Sequence, residues 1–396
     1  MKKVDVVELT KNAVAQTMGA EYMGKLGEFG ALDSYKLADV GQAVTADNVI
    51  SSFVNNLTSL LGKHVIDNRL YTTTLPSLYV DSFDWGGYLQ RTRYGLGDIL
   101  DDPMYNLISG KDYSDIEHTY YAPDVHSKIY QEAKPIMTPI SINKEVLREA
   151  FNGWDKLNEY VSGILTSVKN TINIALMVYE KMLVSSAIAI SDKKNGTARH
   201  LITEAVALGI LQKKGEANPT YKEAIKNENF LLYVSKVIAD TRQYMKEPSQ
   251  TYNDKSVVTW CDKEPNLILL NDFVSNFKFN LKSKTFNPTE ISFGKYDTIT
   301  SWQGVKEGAN GFDSKTLSSI SISADNKNKL GIGTGAYTAS GVIGVLFDYM
   351  AIGISLMRSK VTSSYTACAD FWNEFHHQLV NYLIDDSYGI VALICD

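Results

Sequence analysis

Cysteine, arginine and long apolar runs are all scarce in this chain, and each shortage excludes something. Three cysteines, Cys261, Cys368 and Cys395, lie far apart in 396 residues with no CxxC spacing. A disulfide framework is excluded, and reduced thiols fit better. Of 39 basic residues only 7 are arginine, which leaves 32 lysines. Net charge is −6 and no block of basic residues occurs, so direct nucleic-acid binding has no electrostatic footprint. No run of about 20 uninterrupted apolar residues exists, so no membrane-spanning helix is expected. The start, MKKVDVVELTKNAVA, lacks a long apolar stretch after its lysines, and no signal peptide is read there.

What is present describes a folded protein. The apolar fraction is 44% and the charged fraction 21%, which is ordinary for a globular chain long enough for two or three domains. The 23 tyrosines and the lysine excess suggest an AT-rich genome and say nothing about mechanism.

Residues 1–69 read as a lightly structured arm, with one short helix within NVISSFVNNLTSLLGK (48–63). Residues 70–140 are rich in Thr, Tyr, Val and Ile and read as long, interrupted strands. DDPMYNLISGKDYSD between them fits the tip of an extended β-hairpin. Such a ribbon is marginal alone. Its aromatics, among them Trp85, Tyr88 and Tyr94, need a partner surface, best supplied by another copy of the protein. Residues 141–191 give the clearest helix: Leu157, Val161, Ile164, Val168, Ile172, Ala175, Tyr179, Met182 and Ser186 trace one face. At ~1.5 Å per residue this makes a rod on the order of 50 Å. Residues 192–340 alternate short helices and strands, and 341–396 supply closing strands, beginning with the buried run GVIGVLFDYMAIGISL (341–356).

Several stretches raise the question of chemistry. FWNEFHHQLVNYLIDD (371–386) holds two histidines, a glutamate and paired aspartates. On a strand His376 and His377 point to opposite faces and cannot share an ion. Glu374 and His376 share a face but lack a third ligand of suitable spacing. The expected reading is a structural strand with one wetter face, joined to a last strand in a hairpin by the Asp385-Asp386-Ser387 turn. GIGTGA (331–336) matches GxGxxA but lacks the strand before and helix after that phosphate binding needs. The Asp98, Asp101 and Asp102 cluster reads as solvated turn residues. No GxxxxGK[ST] occurs, and no nucleophile has a visible partner. No catalytic, cofactor or metal residue is therefore assigned. Arg91 and Arg93 in LQRTRYG share one strand face, and the favoured reading is an intersubunit contact to carboxylates, which guanidinium forks suit. The alternative is a solvated edge.

The order of arm, hairpin, SINKEVLREAF, long helix, α/β block and closing strands resembles the major capsid protein of tailed bacteriophages, the Hong Kong 97 fold. VHSKIYQEAKPIMTPISINKEVLREAF, VIGVLFDYMAIGI and FWNEFHHQLVNYLIDDSYGIVALI carry the resemblance, which is closest to the heads of small short-tailed phages. It implies an α+β fold with N-terminal arm, extended loop, spine helix, and peripheral and axial domains. It also implies pentamers and hexamers in an icosahedral shell around double-stranded DNA held without sequence-specific contact. Portal, and scaffold or decoration proteins, are the other partners implied, with synthesis in the host cytoplasm and residence in the virion. Some relatives link a hairpin lysine to a neighbour's asparagine; Lys111 would stand at that tip, with Asn373 or Asn381 opposite. An encapsulin-like nanocompartment is the nearest alternative, and a metal-dependent hydrolase using Glu374 and His376 a more remote one.

Overall fold

The computed structural model describes residues 75–396, except 80–88, 106–111, 113–115, 144–153, 283–292, 304–317 and a few scattered positions. The expected N-terminal arm with its helix, and Trp85, Tyr88 and Lys111, lie outside the described residues.

Secondary structure is mixed, α+β. In chain order come strands β1 (Leu89–Tyr94), β2 (Val125–Tyr130) and β3 (Ala133–Asn143), then helix α1 (Trp154–Ile190). β4 (Arg199–His200), α2 (Leu201–Ala207), α3 (Tyr221–Ala224), α4 (Glu228–Tyr244), β5 (Asn266–Leu270), α5 (Asn271–Lys282) and β6 (Asp297–Ile299) follow. The rest are β7 (Ile320–Ile322), α6 (Ala324–Lys329), β8 (Tyr337–Ala339), β9 (Val342–Phe347), β10 (Ile352–Thr366), β11 (Phe371–Ile384) and β12 (Ile390–Ile394).

These elements sort into two compact units, each drawn from separated chain segments. One contains Ala133–Glu180 and Ile354–Tyr382, with the turn at Pro76–Leu78. Its three-stranded sheet runs β10-β11-β3, with β11 and β3 antiparallel from Phe371↔Asn143 to Asn381↔Ala133. Leu75 and Leu78 are fully buried here, and the Tyr79 hydroxyl donates to Glu180 Oε1 at 2.9 Å.

Helix α1 and the π-helical turn that continues it, Ser191–Asn195, include Thr166–Asn195, a stretch long and apolar enough to cross a membrane by composition, although no uninterrupted apolar run announces it. Of its most apolar window 61% is buried within the fold, as in the core helix of a water-facing protein. The buried face runs Val168, Ile172, Leu176, Glu180, Leu183, Val184 and Ala187. It shares Val168 and Ile172 with the face read from sequence and then departs from it, because a 3.6-residue period steps onward by four before three. Met182, placed on the inner face by sequence, is exposed, in a row with Ile174 and Val178.

The second unit contains the described parts of Trp85–Glu132, Lys181–Gly353 and Leu383–Asp396. Its five-stranded sheet has the order β4-β12-β9-β5-β6. Every residue of β9 (VIGVLF) and β12 (IVALI) is buried, as expected of strands covered on both faces. The run 341–356 is split by the turn at 348–351, so it supplies two strands. Gly344 lets β5 close on β9: a Cβ there would meet Leu269 Cδ2 at 2.7 Å and the Ile268 carbonyl at 2.9 Å. After α1 the chain turns at Gly196, with φ +64°. There Ser191 Oγ accepts from the Ala392 amide, and Thr197 Oγ1 donates to the Ile390 carbonyl, stitching the helix end to β12. Trp302, fully buried, donates from Nε1 to the Val342 carbonyl at 2.8 Å.

β11 and β12 do not form the expected hairpin. β11 pairs with β10 and β3, whereas β12 lies between β4 and β9. An all-buried strand needs neighbours on both edges, and the polar β11 supplies neither its pattern nor its register.

Candidate functional site

The ribbon of β1 and β2 is the feature with most to explain. The strands pair antiparallel from Leu89↔Tyr130 to Tyr94↔Val125. Residues directly opposite share a face, so Arg91 lies beside Lys128 and Arg93 beside His126. Burial alternates along both strands, and this basic face is the half-buried one. Arg91 and Arg93 do share a face, as their spacing predicts.

Three segments far away in sequence form a seat for that face. Arg91 Nη1 donates to the Met350 carbonyl at 2.5 Å and to Asp385 Oδ2 at 3.3 Å. Arg93 Nη1 donates to the Ser387 carbonyl at 2.7 Å, and its guanidinium stacks 3.8 Å from the Tyr388 ring centre. Lys128 Nζ lies 2.7 Å from both Asp254 Oδ2 and Asp386 Oδ1. Lys194 reaches the second oxygen of Asp386 at 2.5 Å.

The seat is rigid on its own account. Asp385, 1% exposed, accepts from the amide and hydroxyl of Ser387, and its own amide donates to the Ala351 carbonyl. Asp254 accepts from the Ser256 amide and hydroxyl. Burial works to raise the pKa of Asp254 and Asp386, but bonds from Lys128, with Ser256 and Lys194 respectively, outweigh it and hold both carboxyls below the usual range. Burial likewise opposes the Lys128 ammonium, and its two carboxylates more than offset that, raising its pKa. Charge balance, rather than any single bond, holds this cluster together.

The opposite ribbon face is uncharged and uncovered: Tyr94 is 69% exposed, Ile129 63% and Val125 49%, with Gln90, Thr92 and Ser127 between them, Gln90 Nε2 donating to Ser127 Oγ at 2.9 Å. Past the ribbon, Ile99, Met104, Tyr105 and Tyr120 are exposed too. Beside Arg93 opens a cleft of about 240 Å³ lined by Tyr94, Trp260, Asp348, Tyr349 and Tyr388. Burial raises the Asp348 carboxyl there.

The sequence reading gave Arg91 and Arg93 carboxylates of a neighbouring subunit; the described contacts are with their own chain. Tyr94 sits on the outward face. Lys128, Asp254 and Met350 were missed, because nothing in sequence brings residues 91, 128, 254, 350 and 385 together.

The other candidate cluster corrects an expectation. On β11, expected to have one wetter face, the even face that carries Glu374 and His376 is the buried one: Glu374 is 0% and His376 3% exposed, with Trp372 and Gln378 beside them. The odd face with Phe371, Phe375 and Leu379 is half-buried. Glu374 Oε2 lies 3.8 Å from His376 Nε2, and burial pushes the carboxyl up to about 8. Among the described residues no three His, Cys, Asp or Glu side chains are grouped to hold a metal. GIGTGA lies between α6 and β8, a helix before and a strand after, the reverse of the phosphate-binding order.

A ribbon seated by its charged side, with Tyr94, Val125 and Ile129 exposed on the other and no metal cluster among the described residues, is the arrangement of a structural subunit. Residues 12–394 match the family described as Phi29-like phage major capsid protein, and the chain belongs to that family. It is a structural protein of the virion that self-assembles into an icosahedral shell, and it is not an enzyme. Among solved structures it is similar to a chain of the Staphylococcus phage Andhra capsid, at 14% identity and TM-score 0.49, covering 80% of this chain and 83% of that one. A chain from the head fibre and inner core structure of bacteriophage P68 has 11% identity and TM-score 0.47, covering 82% and 85%. One from the mature capsid of bacteriophage PhiM1 has 8% identity and TM-score 0.42, covering 82% and 87%. No curated protein matches the chain.

Proposed function

We propose that this chain is laid out as a Hong Kong 97-type subunit and builds pentamers and hexamers of a head that packages double-stranded DNA. The family match over residues 12–394 carries this reading. In it the unit with β3, most of α1 and β11 corresponds to a peripheral domain and the five-stranded unit belongs with an axial domain; of residues 70–140, expected as the extended loop, the β1–β2 ribbon forms that loop, since β3 pairs with β11. The subunit is made in the host cytoplasm and meets a portal, with scaffold or decoration proteins as further partners. DNA is enclosed without sequence-specific contact, in keeping with the net charge of −6. Nothing in the geometry favours a cargo-enclosing nanocompartment or a hydrolase.

Electron microscopy and light scattering of the purified 44.0 kDa chain, alone and with the phage's portal and scaffold proteins, test the reading. Closed shells or ring-shaped capsomers are expected. A monomer under every one of these conditions would overturn it.

A further inference from the structure

The ribbon turns its charged side chains inward, and its outward face is uncharged, with Tyr94, Val125 and Ile129 set among Gln90, Thr92 and Ser127. Its inner face is held at three separate places. Arg91 addresses the turn at Met350 together with Asp385, Arg93 addresses Ser387 and Tyr388, and Lys128 bridges Asp254 and Asp386. One contact would leave a hinge; three contacts out of line fix both direction and roll. Roll matters because residues alternate across a strand, so one flip would exchange the entire face on offer. Every partner in this seat belongs to the same subunit, so the fastening needs no neighbour.

We propose that Lys128 is a positioning residue for shell assembly: with Arg91 and Arg93 it fastens the ribbon to the Asp254 and Asp385–Ser387 seat in the unassembled subunit. The outward face of Tyr94, Val125 and Ile129 is thereby presented, ready-oriented, to a second copy of the chain. Ordering of the ribbon is completed during folding, so less conformational entropy is lost on assembly. The fastening stands on the geometry alone; its use in assembly rests on the shell reading.

Hydrogen exchange of the unassembled subunit is the test. In wild type, amides of β1 and β2 are protected to an extent that falls as ionic strength rises. Lys128→Met should raise exchange across 89–94 and 125–130 by about tenfold, leaving β5, β9 and β12 unchanged. Lys128→Arg should restore most of the protection, since its guanidinium also reaches two carboxylates. Asp254→Asn keeps an acceptor for Ser256 while removing the charge, and should loosen the same amides by a smaller factor. Unchanged exchange in both Lys128→Met and Asp254→Asn overturns the fastening. So does loss of protection throughout β9 and β12 in both, which would make these residues part of the core. Lys128→Met subunits with a loosened ribbon that assemble at the wild-type rate overturn the positioning role. Wild-type subunits that never assemble, with a protected ribbon, refute the shell reading and leave the fastening standing.

Discussion

Raising the pH from 5 to 8 should destabilise the unit built on β11, and Glu374→Gln should abolish the effect. Glu374 is fully buried, and burial raises its carboxyl from an ordinary 4.5 to about 8. The unfolded chain then releases this proton near pH 4.5 while the folded one holds it to about pH 8. Between these values the unfolded state binds fewer protons, so stability falls as pH rises. The contribution is fully present below the unfolded pKa and lost as pH passes through the folded one. At ~1.4 kcal/mol per unit over roughly three and a half units, the ceiling is ~5 kcal/mol. Relaxation around the buried carboxylate takes up part of this, so a few kcal/mol is the working figure. Urea unfolding of the unassembled subunit, followed by tryptophan fluorescence at each pH, measures it; Trp372 on the same strand face is an inbuilt reporter. Glu374→Gln should match wild type near pH 4.5, exceed it at pH 8 and show a flatter profile. Wild-type stability that rises from pH 5 to 8, or a variant with the wild-type slope, would refute the reasoning.

Three further outcomes are expected. Gly341→Ala should cost well over ~3 kcal/mol by denaturant titration, or prevent soluble expression, because φ there is +73° and a Cβ would sit 2.0 Å from the Cys395 carbonyl oxygen. Native thiol titration should find Cys368 reactive and Cys261 and Cys395 silent until unfolding, since only Cys368 is exposed and burial raises the other two thiols. Val125→Asp with Ile129→Asp should leave subunit melting within about 0.5 kcal/mol of wild type, as exposed sites do, yet sharply reduce particle yield by light scattering.

Local pattern was legible where local physics decides. The long helix, the buried run at 342–347 and the strand at 371–384 follow from spacing alone, and so does the shared face of Arg91 and Arg93. Spacing says which residues lie together on a face, however, not whether that face is covered. The strand at 371–384 was expected to have one wetter face, but spacing did not say which, and the fold buries Glu374 and His376. Met182 was assigned to the core because it is apolar, and the fold exposes it. The seat was invisible for a different reason: Arg91 and Asp385 are 294 residues apart, and only the completed chain path makes them neighbours. The Asp385-Asp386-Ser387 turn was recognised as a turn, but its carboxylates serve as anchors, which required knowing what docks there.

The interleaving of the two units carries a consequence for biosynthesis. β12 occupies the place between β4 and β9, yet the ribosome makes it about two hundred residues after β4, and only after the whole segment Ile354–Tyr382 of the other unit has emerged. The five-stranded sheet therefore cannot close domain by domain as the polypeptide is extruded. Until residues 390–394 arrive, β4 and β9 keep unpaired edges, a state that binds chaperones or aggregates rather than matures. The seat is late as well: a chain truncated before residue 385 lacks Asp385, Asp386 and Ser387, and Arg91, Arg93 and Lys128 lose those partners.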